Sequence, residues 1–134
     1  MADFTDFIAE MRRRVPYWAT LGLEPLAVAD GRATMAVTFR PEHLQSGVMH
    51  GGVLASLIDS ACACAALSLI YPDAYATSVN LQVAYLKPVT GGRVTAHAEC
   101  LRAGKRILFT EARVVDEKGE VVATGTSQLV RVRH

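Results

Sequence analysis

The sequence carries little net charge and few cysteines. Its 134 residues have a formal net charge of +1, which argues against nucleic acid as the main partner. The one basic run, Arg12-Arg13-Arg14, is typical of a solvated helix end. Three cysteines without a Cys-x-x-Cys spacing predict neither a disulfide framework nor a metal site. Reduced thiols are expected instead, as in a cytoplasmic protein.

The N-terminal region lacks the pattern of a signal peptide, because Asp3, Asp6 and Glu10 precede any apolar run. No repeat, linker or low-complexity segment interrupts the chain. Half of the residues are hydrophobic, which predicts an ordered core. The length predicts one domain over residues 1–134.

One stretch, His50 to Ile70, contains no proline and a single charged residue, Asp59. Its composition predicts a helix over about residues 51–71. Apolar residues leave no consistently polar side, so this helix is expected to be buried nearly all round. It is marginally long enough to span a membrane, but a mid-helix acid and the strand-rich sequence that follows predict that it does not.

A buried carboxylate is costly unless it is paired, and no residue one turn away from Asp59 can pair with it. Asp59 is therefore the main functional candidate, the alternative being a structural carboxylate bonded to a partner's backbone. Small residues share its face and leave room for either a ligand or a second helix; they are Gly52, Ala55, Ser56, Cys62, Ala63 and Ala66.

The start of this helix offers unpaired N–H groups and a partial positive charge. Gly51 and Gly52 would let a carbonyl oxygen that gains negative charge approach the backbone, or they only permit a tight turn. Asp59 lies eight residues beyond Gly51, about 12 Å along the axis. Two copies with antiparallel helices would bring Asp59 of one copy toward Gly51 of the other.

The rest of the chain predicts an α+β domain. A short helix over about residues 3–15 ends at Pro16. Alternating strands follow, and short turns predict that sequential strands pair antiparallel in a sheet of five or six strands. Such a sheet wraps one side of the long helix, and a second copy is expected to cover the other, giving at least a homodimer. Residues 41–49 are expected to form a polar loop.

The sequence from Leu21-Gly22 to Val132 resembles the hotdog-fold acyl-CoA thioesterases of the phenylacetate-degradation (4-hydroxybenzoyl-CoA thioesterase-like) type. The likeness lies in His50-Gly51-Gly52 with Asp59, and also in the segments 41–47, 78–88, 104–106 and 119–125. It implies a long helix wrapped by an antiparallel sheet, with dimers often paired into tetramers. It also implies hydrolysis of a thioester between an acyl group and coenzyme A.

The resemblance also assigns roles. Asp59 would be general base or nucleophile, Gly51 would polarise the thioester carbonyl beside Gly52, and His50 would position it. Ser78, on a strand from the other subunit, would help to hold the water, or is an ordinary strand hydroxyl. Gln45 departs from the family's asparagine spacing, so its role in orienting the water or nucleophile is shifted.

Further residues are expected to bind the substrate, which is either an aryl or a medium-chain acyl-CoA. Those near the acyl group are Cys62, Ala63 and Tyr85, and those near the phosphates are Lys87, Arg102, Lys105 and Arg106. No metal or other cofactor is expected. A hotdog hydratase or dehydratase and a non-catalytic acyl-CoA-binding regulatory domain are the alternatives.

Overall fold

The structure, a computed structural model, describes residues 4–133 and confirms the α+β class. Three helices are present, α1 (Phe4–Arg14), α2 (Pro16–Leu21) and α3 (Gly51–Ile70). The strands are β1 (Leu23–Ala29), β2 (Arg32–Thr38), β3 (Leu44–Gln45), β4 (Val48–Met49), β5 (Ala74–Tyr85), β6 (Arg93–Ala103), β7 (Ile107–Val115) and β8 (Val121–Arg133).

Six strands form one antiparallel sheet in the order β1-β2-β6-β7-β8-β5. The expectation that sequential strands pair is therefore wrong for β5 and β6, because β5 pairs with β8 at the far edge. Side chains alternate between the two faces, as β7 shows with Leu108, Thr110, Ala112 and Val114 buried. Helix α3 packs against this buried face of the sheet.

Helix α3 matches the predicted span within one residue. His50 caps its start, and the chain leaves the helix at Tyr71, whose N–H bonds the carbonyl of Leu67. The side chains facing the sheet are fully buried, Leu57, Ile58 and Ala61 among them. By length and composition alone the helix could cross a membrane, yet most of its residues are buried inside the domain.

The opposite side of α3 differs from the prediction of near-complete burial. A stripe on this side is only half-buried or exposed, and it consists of Gly52, Ala55, Ser56, Asp59 and Ala63. These residues recur at spacings of three and four, so they share one helix face. The sheet packs against the other side of the helix, and this stripe, which the sheet does not cover, is called the uncovered stripe.

Three local elements were not predicted from the sequence: α2, a 3-10 turn and a small hairpin. Pro16 does not merely end α1, whose predicted start at residue 3 lies outside the described residues; it is also the first residue of α2. Gly22 then caps the end of α2, where its N–H donates to the Trp18 carbonyl. The expected polar loop at residues 41–49 contains a 3-10 turn (Pro41–His43) and the small β3–β4 hairpin.

Candidate active site at the uncovered face of helix α3

The backbone at the start of α3 presents hydrogen-bond donors in a defined pattern. The Gly52 N–H donates to Nδ1 of His50 at 2.8 Å, and the Val53 N–H donates to the His50 carbonyl at 3.0 Å. The first N–H groups of a helix have no intrahelical acceptor. Within the described residues, capping therefore leaves the Gly51 N–H as the donor available to a ligand, while His50 serves the cap.

Tyr85, at the end of β5, covers Gly51. Its hydroxyl donates to the Gly51 carbonyl at 2.8 Å, and a Cβ at Gly51 would lie only 3.0–3.2 Å from the ring. The absence of a side chain at Gly51 thus allows the tyrosine to pack against the helix start. This contact places Tyr85, a predicted substrate-binding residue, beside the proposed carbonyl-binding donor.

Asp59 is half-buried on the uncovered stripe, and the Ser78 hydroxyl donates to its Oδ1 at 2.7 Å. Both residues belong to one chain, so the prediction that Ser78 comes from the other subunit is wrong. A register shift in the pairing of β5 with β8 falls between Ser78 and Asn80. Such bulges redirect side chains, and here Ser78 faces the helix.

Cys62 does not belong to the uncovered stripe. Its side chain is fully buried with Thr110 of β7 beside it, and burial raises the pKa of the thiol to about 11. Ala63 does lie on the stripe. Of these two predicted acyl contacts, the structure therefore brings only Ala63 to the face of Asp59.

The remaining polar candidates lie apart from Asp59. Gln45 is exposed on the β3–β4 hairpin, opposite Val48. His43 is buried, with Nε2 bonded to the Leu21 carbonyl at 2.8 Å and its own carbonyl accepting from the His50 N–H. It therefore has a structural role, because its two bonds connect α2 to the cap of α3.

Comparisons with known proteins show the family to which the chain belongs. Residues 46–123 match the family model described as the thioesterase superfamily. That match covers more than half of the chain and includes the helix start, Asp59 and Ser78. The chain belongs to the thioesterase superfamily. It is a thioester hydrolase with the hotdog fold.

Individual members of the superfamily are similar over most of their length. A Salmonella typhimurium protein named medium/long-chain acyl-CoA thioesterase YigI is 26% identical, with 84% of this chain and 83% of that protein covered. A thioesterase family protein from Silicibacter pomeroyi is 27% identical, with a TM-score of 0.91 over 98% of this chain and 100% of that one. The phenylacetic acid degradation protein PaaI of Thermus thermophilus, solved as a mutant, is 34% identical, with a TM-score of 0.80 and coverages of 87% and 99%.

The four basic residues predicted to bind the phosphates fall into two groups in this thioesterase. Lys87 is engaged by acids, bonding Asp116 at 3.2 Å and also Glu120, and these contacts raise its pKa. Arg102, Lys105 and Arg106 are exposed at the end of the β6–β7 hairpin. Only the second group consists of exposed cations at one place on the surface.

Sequence reasoning missed Tyr17, which lies on α2 beside the uncovered stripe. Its hydroxyl is 2.8 Å from Oγ of Ser56, one turn of α3 before Asp59. The signal that could have found it is Pro16 as a helix start, because that assignment places Tyr17 in a helix rather than in a connection. The contact itself spans 39 residues and is not readable from local sequence.

Proposed function

We propose that this thioesterase hydrolyses acyl-CoA in a site between two subunits, with Asp59 of one chain and the Gly51 N–H of its partner. The observation that carries the proposal is the Asp59–Ser78 pair on a helix face that its own chain leaves uncovered. Gly51 and Asp59 of one chain are separated by about 12 Å along the helix, too far to act on one carbonyl group. An antiparallel partner helix removes this separation.

The chemistry follows from the two groups. Acting as general base, Asp59 takes a proton from water, whose oxygen attacks the thioester carbonyl carbon. The carbonyl oxygen becomes an oxyanion that accepts a hydrogen bond from the Gly51 N–H. The C–S bond then breaks, and the leaving coenzyme A thiolate takes up the proton held by Asp59, which restores the carboxylate.

A nucleophilic role for Asp59 uses the same geometry. A carboxylate oxygen then attacks the carbonyl carbon directly, the thiolate leaves, and water hydrolyses the resulting anhydride. In both cases Ser78 occupies Oδ1 and leaves Oδ2 for the reaction. Ser78 therefore orients the carboxylate.

The edge of the sheet supports a homodimer. Strand β5 pairs with β8 on one side only, and it exposes apolar side chains, namely Val79, Leu81 and Tyr85, with Leu86 just beyond its end. An unpaired strand edge with apolar side chains is a ready surface for a second copy. Pairing there would set two α3 helices side by side with their uncovered stripes close together; a dimer of dimers is the proposed final assembly.

The substrate proposed is an aryl or medium-chain acyl-CoA, in line with the names of the YigI and PaaI relatives. Arg102, Lys105 and Arg106 are the proposed contacts to its phosphates, since phosphate favours exposed, unpaired cations. Lys87 is a weaker candidate, because Asp116 and Glu120 already hold its ammonium group. The proposed reaction uses no cofactor.

The test is Asp59→Asn, assayed by thiol release from a panel of aryl- and alkanoyl-CoA thioesters. Losing a general base should lower kcat by a factor on the order of 100 or more. Asp73→Asn, the same change at an exposed position just after α3, is the matched control and should retain wild-type rates. Thermal unfolding curves should show that both Asp59→Asn and wild type are folded. Equal rates for these two folded proteins would refute the role of Asp59.

A further inference from the structure

Helix α2 is bonded to α3 at two serines through side chains alone. The Tyr17 hydroxyl lies 2.8 Å from Oγ of Ser56, and Nε1 of Trp18 donates to Oγ of Ser60 at 3.0 Å. The two contacts look alike but differ in exposure. Trp18 is 5% exposed, whereas Tyr17 is 52% exposed. Only the Tyr17–Ser56 contact therefore borders open space.

That open space adjoins Asp59. Ser56 precedes Asp59 by three residues, so their Cβ atoms lie about 5–6 Å apart on one helix face. Tyr17 borders the stripe on the α2 side, and Ser78 borders it through its bond to Asp59. An acyl group whose carbonyl sits at Asp59 would thus have the two hydroxyls within reach.

The two hydroxyls are not satisfied by each other. Each is one donor with two acceptor lone pairs, and their mutual bond uses one proton and one lone pair. One O–H and several lone pairs remain for another polar group. The Trp18–Ser60 pair differs, because the indole N–H has no capacity beyond the bond it makes.

We propose that Tyr17 and Ser56 determine specificity by hydrogen bonding to an oxygen on the acyl group, several bonds beyond the thioester carbonyl. This proposal rests on the proposed function for the position of the carbonyl. The pair favours an acyl group that carries a hydroxyl over the same skeleton without it, because the polar pair gains no partner from a hydrocarbon.

The experiment compares matched substrates in the full-length protein. The pairs are 4-hydroxyphenylacetyl-CoA with phenylacetyl-CoA, and 3-hydroxyoctanoyl-CoA with octanoyl-CoA. The quantity measured is the ratio of kcat/KM for the hydroxylated member to that for the plain member. Tyr17→Phe and Ser56→Ala each remove one hydroxyl, and Ser60→Ala removes the matching contact at Trp18 as the control.

Wild type should favour the hydroxylated member of at least one pair. Tyr17→Phe and Ser56→Ala should each lower that ratio by about 3- to 10-fold, the scale of one hydrogen bond, mainly through KM. Ser60→Ala should leave the ratio unchanged. If the two hydroxyls only fasten α2, the variants will lower the melting temperature without moving the ratio, and that result overturns the proposal.

A separate outcome identifies a failure of the proposed function. If wild type releases no coenzyme A from any thioester, calorimetric binding of non-hydrolysable thioether analogues of the same pairs replaces the rates. A preference for the hydroxylated analogue that Tyr17→Phe abolishes supports the specificity role without hydrolysis. Equal affinities in wild type overturn it.

Discussion

Two inactive variants of this thioesterase should regain activity when their chains are mixed, because the proposed site takes Asp59 and Gly51 from different chains. Asp59→Asn removes the carboxylate, and Gly51→Pro removes the N–H donor. Proline is tolerated at the first position of a helix. The preceding residue, His50, already has the extended backbone that proline requires, with ψ at 134°. The Tyr85 ring is half-exposed and has room to turn aside.

The size of the recovery follows from counting sites. Asp59→Asn should lose a factor on the order of 100 or more, and Gly51→Pro about 100- to 1,000-fold. After random reassociation half of the dimers are mixed, and each mixed dimer holds one site with both native residues. Activity should therefore rise from about 1% of wild type to about one quarter, as expected for a two-fold symmetric dimer.

The assay is thiol release after the two variants are unfolded together and refolded, with each variant refolded alone beside it. A mixture of Asp59→Asn with Asp59→Ala is the control, since no arrangement of those chains restores a carboxylate. If the mixture shows only the mean of its parents while wild type recovers after the same treatment, the site does not combine these residues from two chains.

Two further predictions concern the packing under the site. A Cβ at Gly125 would lie 2.8 Å from Cγ2 of fully buried Ile58, so Gly125→Ala should lower the free energy of unfolding by about 1–3 kcal/mol in denaturant titrations. A Cβ at Gly91 meets nothing within 4 Å, so Gly91→Ala is the control and should not lower it. Equal stabilities of the two variants would contradict the close packing at Gly125. Burial raises the pKa of Cys62 to about 11 and that of Cys64 to about 12. A thiol reagent at pH 8 should therefore leave both unmodified in the folded protein and react with all three cysteines after unfolding. Rapid labelling of Cys62 or Cys64 in the folded protein would contradict their burial.

Much of the fold was predictable because its signals are local. Helix α3 follows from a proline-free apolar run, and Asp59 follows from being its only charge. The strand spans follow from the alternation of apolar and polar residues along the sequence. The pairing of β5 with β8 was not predictable, because pairing over long sequence separations leaves no local pattern; the short connection after β5 wrongly indicated β6 as its neighbour.

For the candidate site, the sequence predicts residues but not their contacts. Asp59, Gly51 and Ser78 are candidates from the sequence, whereas only the structure shows that Ser78 reaches Asp59 within one chain. That contact lies beside a register shift in the pairing of β5 with β8, and such a shift depends on how two strands align. Tyr17 was missed for a related reason, since its partner Ser56 lies on another element.

The position of Asp59 explains why one helix serves both the core and the proposed chemistry. A fully buried face would make an ionised carboxylate too costly, and a fully exposed one would not hold a thioester away from water. The uncovered stripe of α3 lies between these limits, with Ser78 supplying one hydrogen bond to the acid. Small residues along the stripe, such as Gly52, Ala55 and Ala63, leave space above it. A partner helix at the border of this space would bring its own Gly51 N–H toward the acid, so the same approach would assemble the reactive groups and enclose the acyl group between the two chains.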